Sequence, residues 1–225
     1  MRILLLLFIA VITLVHVPNV FAQPRQITEA ELKKLISDSA EKRKGMSYVQ
    51  KRSTTGYNAG DSSDDLFEFG PNDTYHYRLL RKQNGTEIKY EGIRIGTVRY
   101  TLQQDGSWLK DIPKSQGSAG YGAGSGSGSG AGPSVPPEIT QEYRYVGSEK
   151  MQGQLTSHYR KTEVVRFNSP TALTRRVVDD YWFNSDGLLL KESRDDKFEN
   201  SERRYTSVTE YEYRKDIKIT PPIPD

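Results

Sequence analysis

Three patterns of apolar and polar positions follow one another along the chain. An unbroken apolar stretch from Ile3 to Val15 follows the charged Arg2 and leads through Pro18 to Val20-Phe21-Ala22, the layout of an export signal. It is shorter than the roughly 20 residues that cross a bilayer. The sequence therefore predicts cleavage between Ala22 and Gln23, leaving a mature chain with no membrane span.

The second pattern has a helical period. Thr28-Glu29-Ala30-Glu31 has the capping-box form, and Leu32, Leu35, Ile36 and Ala40 recur on one face against Lys33, Lys34, Asp38, Glu41 and Lys42, with Gly45 as the stop. This predicts one amphipathic helix over about 28 to 43. From Met46 onward the period becomes two. Tyr75, Tyr77 and Leu79 alternate with His76, Arg78 and Leu80, and further runs at 87–90, 93–102, 107–110, 140–147, 154–167, 173–183, 188–194 and 202–213 read as strands. Turn signals separate them at Asn84-Gly85, Asp105-Gly106, Gly147-Ser148, Gly153, Asn168-Ser169-Pro170 and Ser185-Asp186-Gly187. Short turns between successive strands mean an antiparallel meander, since parallel neighbours need crossover helices. The proline-rich end, 216–225, is expected to lie extended along an edge or to fray.

The segment 115–137 is almost wholly Gly, Ser, Ala and Pro and is expected to be a flexible loop. It either links two domains or interrupts one. Each flank is about 90 residues and only the first holds a helix, which favours a single domain over 23–225.

Composition narrows the chemistry. The absence of cysteine removes disulfides, thiolate metal sites, a Cys nucleophile and an acylated Cys anchor. Net charge is +3 with no basic block, which gives a nucleic-acid partner no electrostatic support. The acid pairs Asp64-Asp65, Asp179-Asp180 and Asp195-Asp196 are adjacent, so on a strand their members point to opposite faces and share no site. His76 and His158 sit on predicted strands and could approach one another, but two imidazoles without a further ligand make a poor metal site. There is no G-x-S-x-G elbow. No catalytic residue, metal or cofactor is expected. Asn72-Asp73-Thr74 and Asn84-Gly85-Thr86 match the glycosylation triplet, which matters only in a eukaryotic source.

The chain's 14 tyrosines and two tryptophans offer more ring area than one thin core layer needs. Tyr75, Tyr77, Tyr90, Tyr100, Trp108, Tyr143, Tyr145, Tyr159 and Trp182 are the candidate lining of an apolar pocket on a curved sheet. Alternatively, the same rings are simply the core between sheet and helix.

Several C-terminal phrases, read together, carry a resemblance. Tyr145-Val146-Gly147-Ser148-Glu149, Gly153-Gln154 with His158-Tyr159-Arg160, the run from Tyr181-Trp182-Phe183 through Asp186-Gly187-Leu188 to Glu192, and Tyr211-Glu212-Tyr213 leading to Ile217-Lys218-Ile219-Thr220-Pro221-Pro222 resemble the LolA-like group. That group comprises exported bacterial lipoprotein and lipid carriers, including the LppX-type proteins. The resemblance implies an α+β fold: a strongly curved, mostly antiparallel sheet forming an unclosed half-barrel, with the helix packed on its concave side. It also implies a non-enzymatic periplasmic or secreted carrier of a lipid or lipoprotein acyl chain. The group's pocket is set by position rather than by a motif, so no particular residue is implied. The competing expectation is an extracytoplasmic interaction module, its core filled by its own side chains and its partner another envelope protein.

Overall fold

The computed structural model describes residues 23–56, 58, 60–112, 136–168, 173–199 and 201–223. The expected signal and nearly all of the Gly/Ser segment lie outside the described residues. The first element, β1 (Arg25–Gln26), leads into α1 (Glu29–Arg43). The meander β2 (Tyr48–Thr55), β3 (Ser62–Gly70), β4 (Thr74–Gln83), β5 (Thr86–Ile95), β6 (Val98–Leu102) and β7 (Trp108–Asp111) follows. After the Gly/Ser segment comes a second, β8 (Glu138–Met151), β9 (Gln154–Arg166), β10 (Thr174–Asn184), β11 (Leu189–Phe198) and β12 (Arg204–Tyr213).

All twelve strands form one antiparallel sheet in the order β1-β8-β9-β10-β11-β12-β2-β3-β4-β5-β6-β7. It is unclosed, with β1 and β7 at its ends. The last strand, β12, pairs with β2 from Tyr213↔Tyr48 to Thr206↔Thr55, so the two meanders fuse through the ends of the chain. This junction dictates the helix position. With β1 on β8 and β2 on β12, α1 must bridge the β8–β12 half. Its 15 residues span about 22 Å, while the six strand spacings from β1 to β2 cover about 29 Å on a flat sheet. The bridge uses the whole helix and leaves none for the β3–β7 half.

The capping box forms as the sequence requires. Glu31 N donates to Thr28 Oγ1 (3.1 Å) and Thr28 N donates to Glu31 Oε2 (2.6 Å). Thr28→Ala leaves orphan amides at the helix start and is expected to cost about 1 kcal/mol in urea denaturation. Leu32, Leu35 and Ile36 pack on Tyr143, Tyr145, Tyr159, Tyr181, Phe183, Leu189 and Tyr211. Two polar ties fix the helix's far end: Leu189 N donates to buried Ser39 Oγ (2.8 Å) and Lys42 Nζ to Asp186 O (2.5 Å).

Four local readings are corrected. Ser62–Gly70 is a full strand, although its polar start reads as loop. Residues 93–102 are two strands, because Gly96 at φ +59 turns the chain. Gly147 is not a turn: β8 runs on to Met151 through a bulge at Tyr145/Gly147, where an extra residue is accommodated without ending the pairing. The described part of the tail follows no edge. Its residues 214–220 lie over interior strands, lining a 310 Å³ pocket with Glu68, His76 and Ile93, while Ile219 Cδ1 abuts Gly70.

Candidate hydrophobic-ligand site

Strand alternation sorts every side chain to the helix side or the outer side. On the helix side, paired residues line up into rows. One runs Tyr213, Tyr48, Phe69, Tyr75, Arg94, Arg99, and the next Tyr211, Gln50, Phe67, Tyr77, Gly92, Thr101. Their rings form a continuous belt. Tyr48 stacks on Phe69 at 4.4 Å, with Phe67, Tyr77 and Tyr75 following at 6.1–6.5 Å. Gly92 is part of the design, for the Tyr77 ring lies across it and a Cβ there would meet the ring at 2.4–2.6 Å.

The belt has a covered and an open half. Under the helix, Tyr145, Tyr159, Phe183 and Tyr211 are packed by the chain's own side chains. Burial, with Glu192 adding to it, pushes the Tyr211 phenol up to about 12 despite the nearby Arg43. Burial likewise pushes Tyr213 up to about 12. Both are neutral donors at pH 7, Tyr211 to Glu192 (3.1 Å) and Tyr213 to the Leu189 carbonyl (2.8 Å). Arg43 marks the boundary, its guanidinium 4.6 Å from the Tyr211 ring centre and 5.9 Å from that of Tyr48. Beyond it Phe67, Phe69, Tyr75 and Tyr77 remain half-buried; Tyr48 links the helix core to Phe69, and none of the four rings is itself among the residues packed on that core.

Two pockets flank this open half. A 300 Å³ pocket lies among Tyr75, Tyr77, Arg94, Arg99 and Thr101. A 420 Å³ polar pocket lies among Gln50, Arg52, Asp179, Tyr181, Glu192, Arg194 and Thr209. There burial raises the Asp179 carboxyl, and Arg194, at 3.7 Å, only partly offsets it.

The nine candidate lining residues divide between the two sides. Tyr75 and Tyr77 lie in the open belt, while Tyr143, Tyr145 and Tyr159 lie under the helix. Tyr90 is also on the helix side, paired with Leu79, and lines a separate 1160 Å³ cleft. Tyr100, Trp108 and Trp182 lie on the outer side. Tyr100 pairs with Ile93 and is 3% exposed. Trp182 stacks on His158 at 4.5 Å and its indole N–H reaches Glu149. Sequence reasoning missed Phe67 and Phe69, whose spacing of two was visible in Leu66-Phe67-Glu68-Phe69.

The histidines do not approach one another, being six strands apart in the sheet. His76 lies between Glu68 (2.9 Å) and Glu91 (2.8 Å), and His158 between Asp180 (2.7 Å) and Glu149 (3.3 Å). In each acid pair of β10 and β11 the neighbours part. Asp180 and Asp195 meet Arg160 and Arg204 on the outer side, and Asp179 and Asp196 meet Arg194 and Arg175 on the helix side.

No protein-family model and no curated protein sequence matches the chain. Among solved structures it is similar to LprF from Mycobacterium bovis, at 14% identity and TM-score 0.47, over 88% of this chain and 99% of that one. It is similar to a LolA superfamily protein from Nitrosomonas europaea at 10% identity and TM-score 0.26, over 80% and 90% of the respective chains. A third is a putative outer membrane lipoprotein-sorting protein domain from Vibrio parahaemolyticus, at 8% identity and TM-score 0.27, over 82% and 93%.

Proposed function

We propose that the chain is an exported, non-catalytic binding protein that holds a hydrophobic group, a lipid or an acyl chain, on the open half of its aromatic belt. One observation carries this reading: the belt outruns the helix, leaving Phe67, Phe69, Tyr75 and Tyr77 as contiguous, half-covered rings on a packed support. Each methylene removed from water against such a surface gains at most about 0.8 kcal/mol, so affinity grows with the length of acyl chain that the belt covers. Arg94 and Arg99 at the belt's end suit an acidic head group. The covered half, filled by its own side chains, serves as scaffold rather than pocket.

Titration with cis-parinaric acid, a fatty acid that fluoresces in apolar surroundings, tests this. Saturable binding is expected, and Phe67→Ala with Phe69→Ala together should weaken it at least tenfold, about 1.4 kcal/mol. Leu155→Ala, at a site 59% exposed on β9, should leave it unchanged. A non-saturable signal, or equal affinity in all three proteins, sinks the proposal.

A further inference from the structure

We propose that the free edge of β5 over Glu87–Glu91 is a docking site for an extended segment of a partner protein, which joins the sheet as an added strand. The site is separate from the aromatic belt and does not depend on its ligand.

The geometry begins with parity. In an antiparallel ladder, alternate residues direct both backbone groups to the same neighbour. The Gly96 amide donates to the Asp73 carbonyl (3.3 Å), extending the β4–β5 register in which Thr74 faces Ile95. Counting down by twos, Arg94, Gly92, Tyr90, Ile88 and Thr86 bond toward β4. Ile95, Ile93, Glu91, Lys89 and Glu87 therefore turn their amides and carbonyls the other way. Ile95 and Ile93 meet β6 there, at Val98 and Tyr100, but the β5–β6 pairing ends at Gly92↔Thr101. No described strand pairs with the outward edge at Lys89 and Glu87. The Gly92↔Thr101 pairing takes the Glu91 carbonyl, so four backbone groups, the amides and carbonyls of Lys89 and Glu87, line up there without a partner strand among the described residues.

The surroundings fit a strand better than bare solvent. Where β5 outruns β6 there is a cleft of 1160 Å³, its walls including Leu66, Leu79, Leu80, Ile88, Tyr90 and Leu102. Leu80, Ile88 and Tyr90 are 36–47% exposed. Charged side chains commonly blunt a sheet edge, and Glu87 and Lys89, paired at 3.1 Å, are placed to do so. They stand on the outer side only, however, and on the helix side of the same edge β5 itself presents the apolar Ile88 and Tyr90, with Arg81 of β4 beside them, 5.9 Å from the Tyr90 ring centre. The outer rim carries three carboxylates, Asp64, Glu87 and Glu91, against two cations, Arg78 and Lys89. The complementary guest is a strand with apolar residues at alternate positions and polar residues, including a Lys or Arg, between them. Main-chain bonds supply affinity and alternate side chains supply register, the mode of β-strand addition.

The probe is a fluorescein-labelled octapeptide alternating valine with lysine and threonine, followed by anisotropy. Saturable binding is expected. Methylating its amides at the alternate positions that face β5 should abolish binding, while methylating the other alternate positions should not. Lys89→Pro should weaken binding at least tenfold, because it deletes an outward donor that β4 does not use. The methylated peptides act on the unaltered protein, so they decide the matter even if Lys89→Pro fails to fold. Absence of saturable binding, or binding indifferent to which amides are methylated, overturns the proposal.

Discussion

Leu189→Ala is expected to destabilise the fold by about 2–5 kcal/mol, read as a fall in the urea midpoint with little change in slope. The side chain is 2% exposed and packs between Phe183 and Tyr211. Phe183↔Leu189 is also where the β10–β11 register shifts past Trp182, so the bulge brings Leu189 beneath the helix. Its backbone ties the same spot from both directions, the amide to Ser39 and the carbonyl to Tyr213. Neighbours held this way cannot collapse into the vacated space, which places the cost in the upper part of the range. Leu155→Ala removes the same atoms from a surface position and should stay within about 0.5 kcal/mol. Equal losses in the two would mean that the helix is not seated on this core.

That seat also explains why the proposed binding face is where it is. The chain has one described helix, and topology obliges it to span from β1 to β2. A sheet of twelve strands has more apolar face than such a helix can cover. The uncovered remainder is consequently set by strand order and needs no special residue, which fits the absence of any motif for it.

Much of this was legible in the sequence because local rules and the fold agree. Thr28 and Glu31 mark the helix start in both, and the two-residue turn at Asn84-Gly85 connects β4 to β5 as read. Side-chain direction was legible only where a strand carries apolar residues on one face. β10 carries them on both: Val177, Tyr181 and Phe183 toward the helix, Val178 and Trp182 outward. A period-two reading has no preference there, and Trp182 joined the candidate lining although its ring covers His158. Tyr100 illustrates a different limit. Its strand alternates cleanly, Val98, Tyr100 and Leu102 against Arg99 and Thr101, but that apolar set lies on the outer side, where Tyr100 is buried, and alternation sorts residues into two sets without saying which set meets the helix. The bulge at Gly147 compounds the problem, since one extra residue reverses the facing of everything beyond it.

Adjacent aspartates on β10 should respond oppositely to losing their charge. Asp180→Asn is expected to cost about 3 kcal/mol at pH 7, as for breaking a largely buried ion pair. Asp179→Asn should be neutral or stabilising. Both side chains are 11% exposed, and the difference lies in what faces them. Burial alone would raise Asp180, but His158 Nε2 at 2.7 Å and Arg160 Nε at 2.8 Å outweigh it and hold the carboxyl below its ordinary range. For Asp179, burial wins over Arg194 and the carboxyl is raised. The signs of the pH dependence follow from linkage. Asp180 contributes stability that is complete above the unfolded carboxyl value of about 3.9 and is lost as pH falls through its lower folded value. Asp179, when ionised, opposes folding; that opposition is present above its raised folded value and relieved as pH falls through it toward about 3.9. Urea midpoints at pH 7 and near pH 4 separate the two. Asp180→Asn should remain far below the parent at both, whereas any advantage of Asp179→Asn at pH 7 should shrink near pH 4, where the parent's own carboxyl becomes protonated. A large loss from Asp179→Asn at pH 7 would show instead that its charge is needed by Arg194, and the polar pocket beside the belt would then rest on a true ion pair.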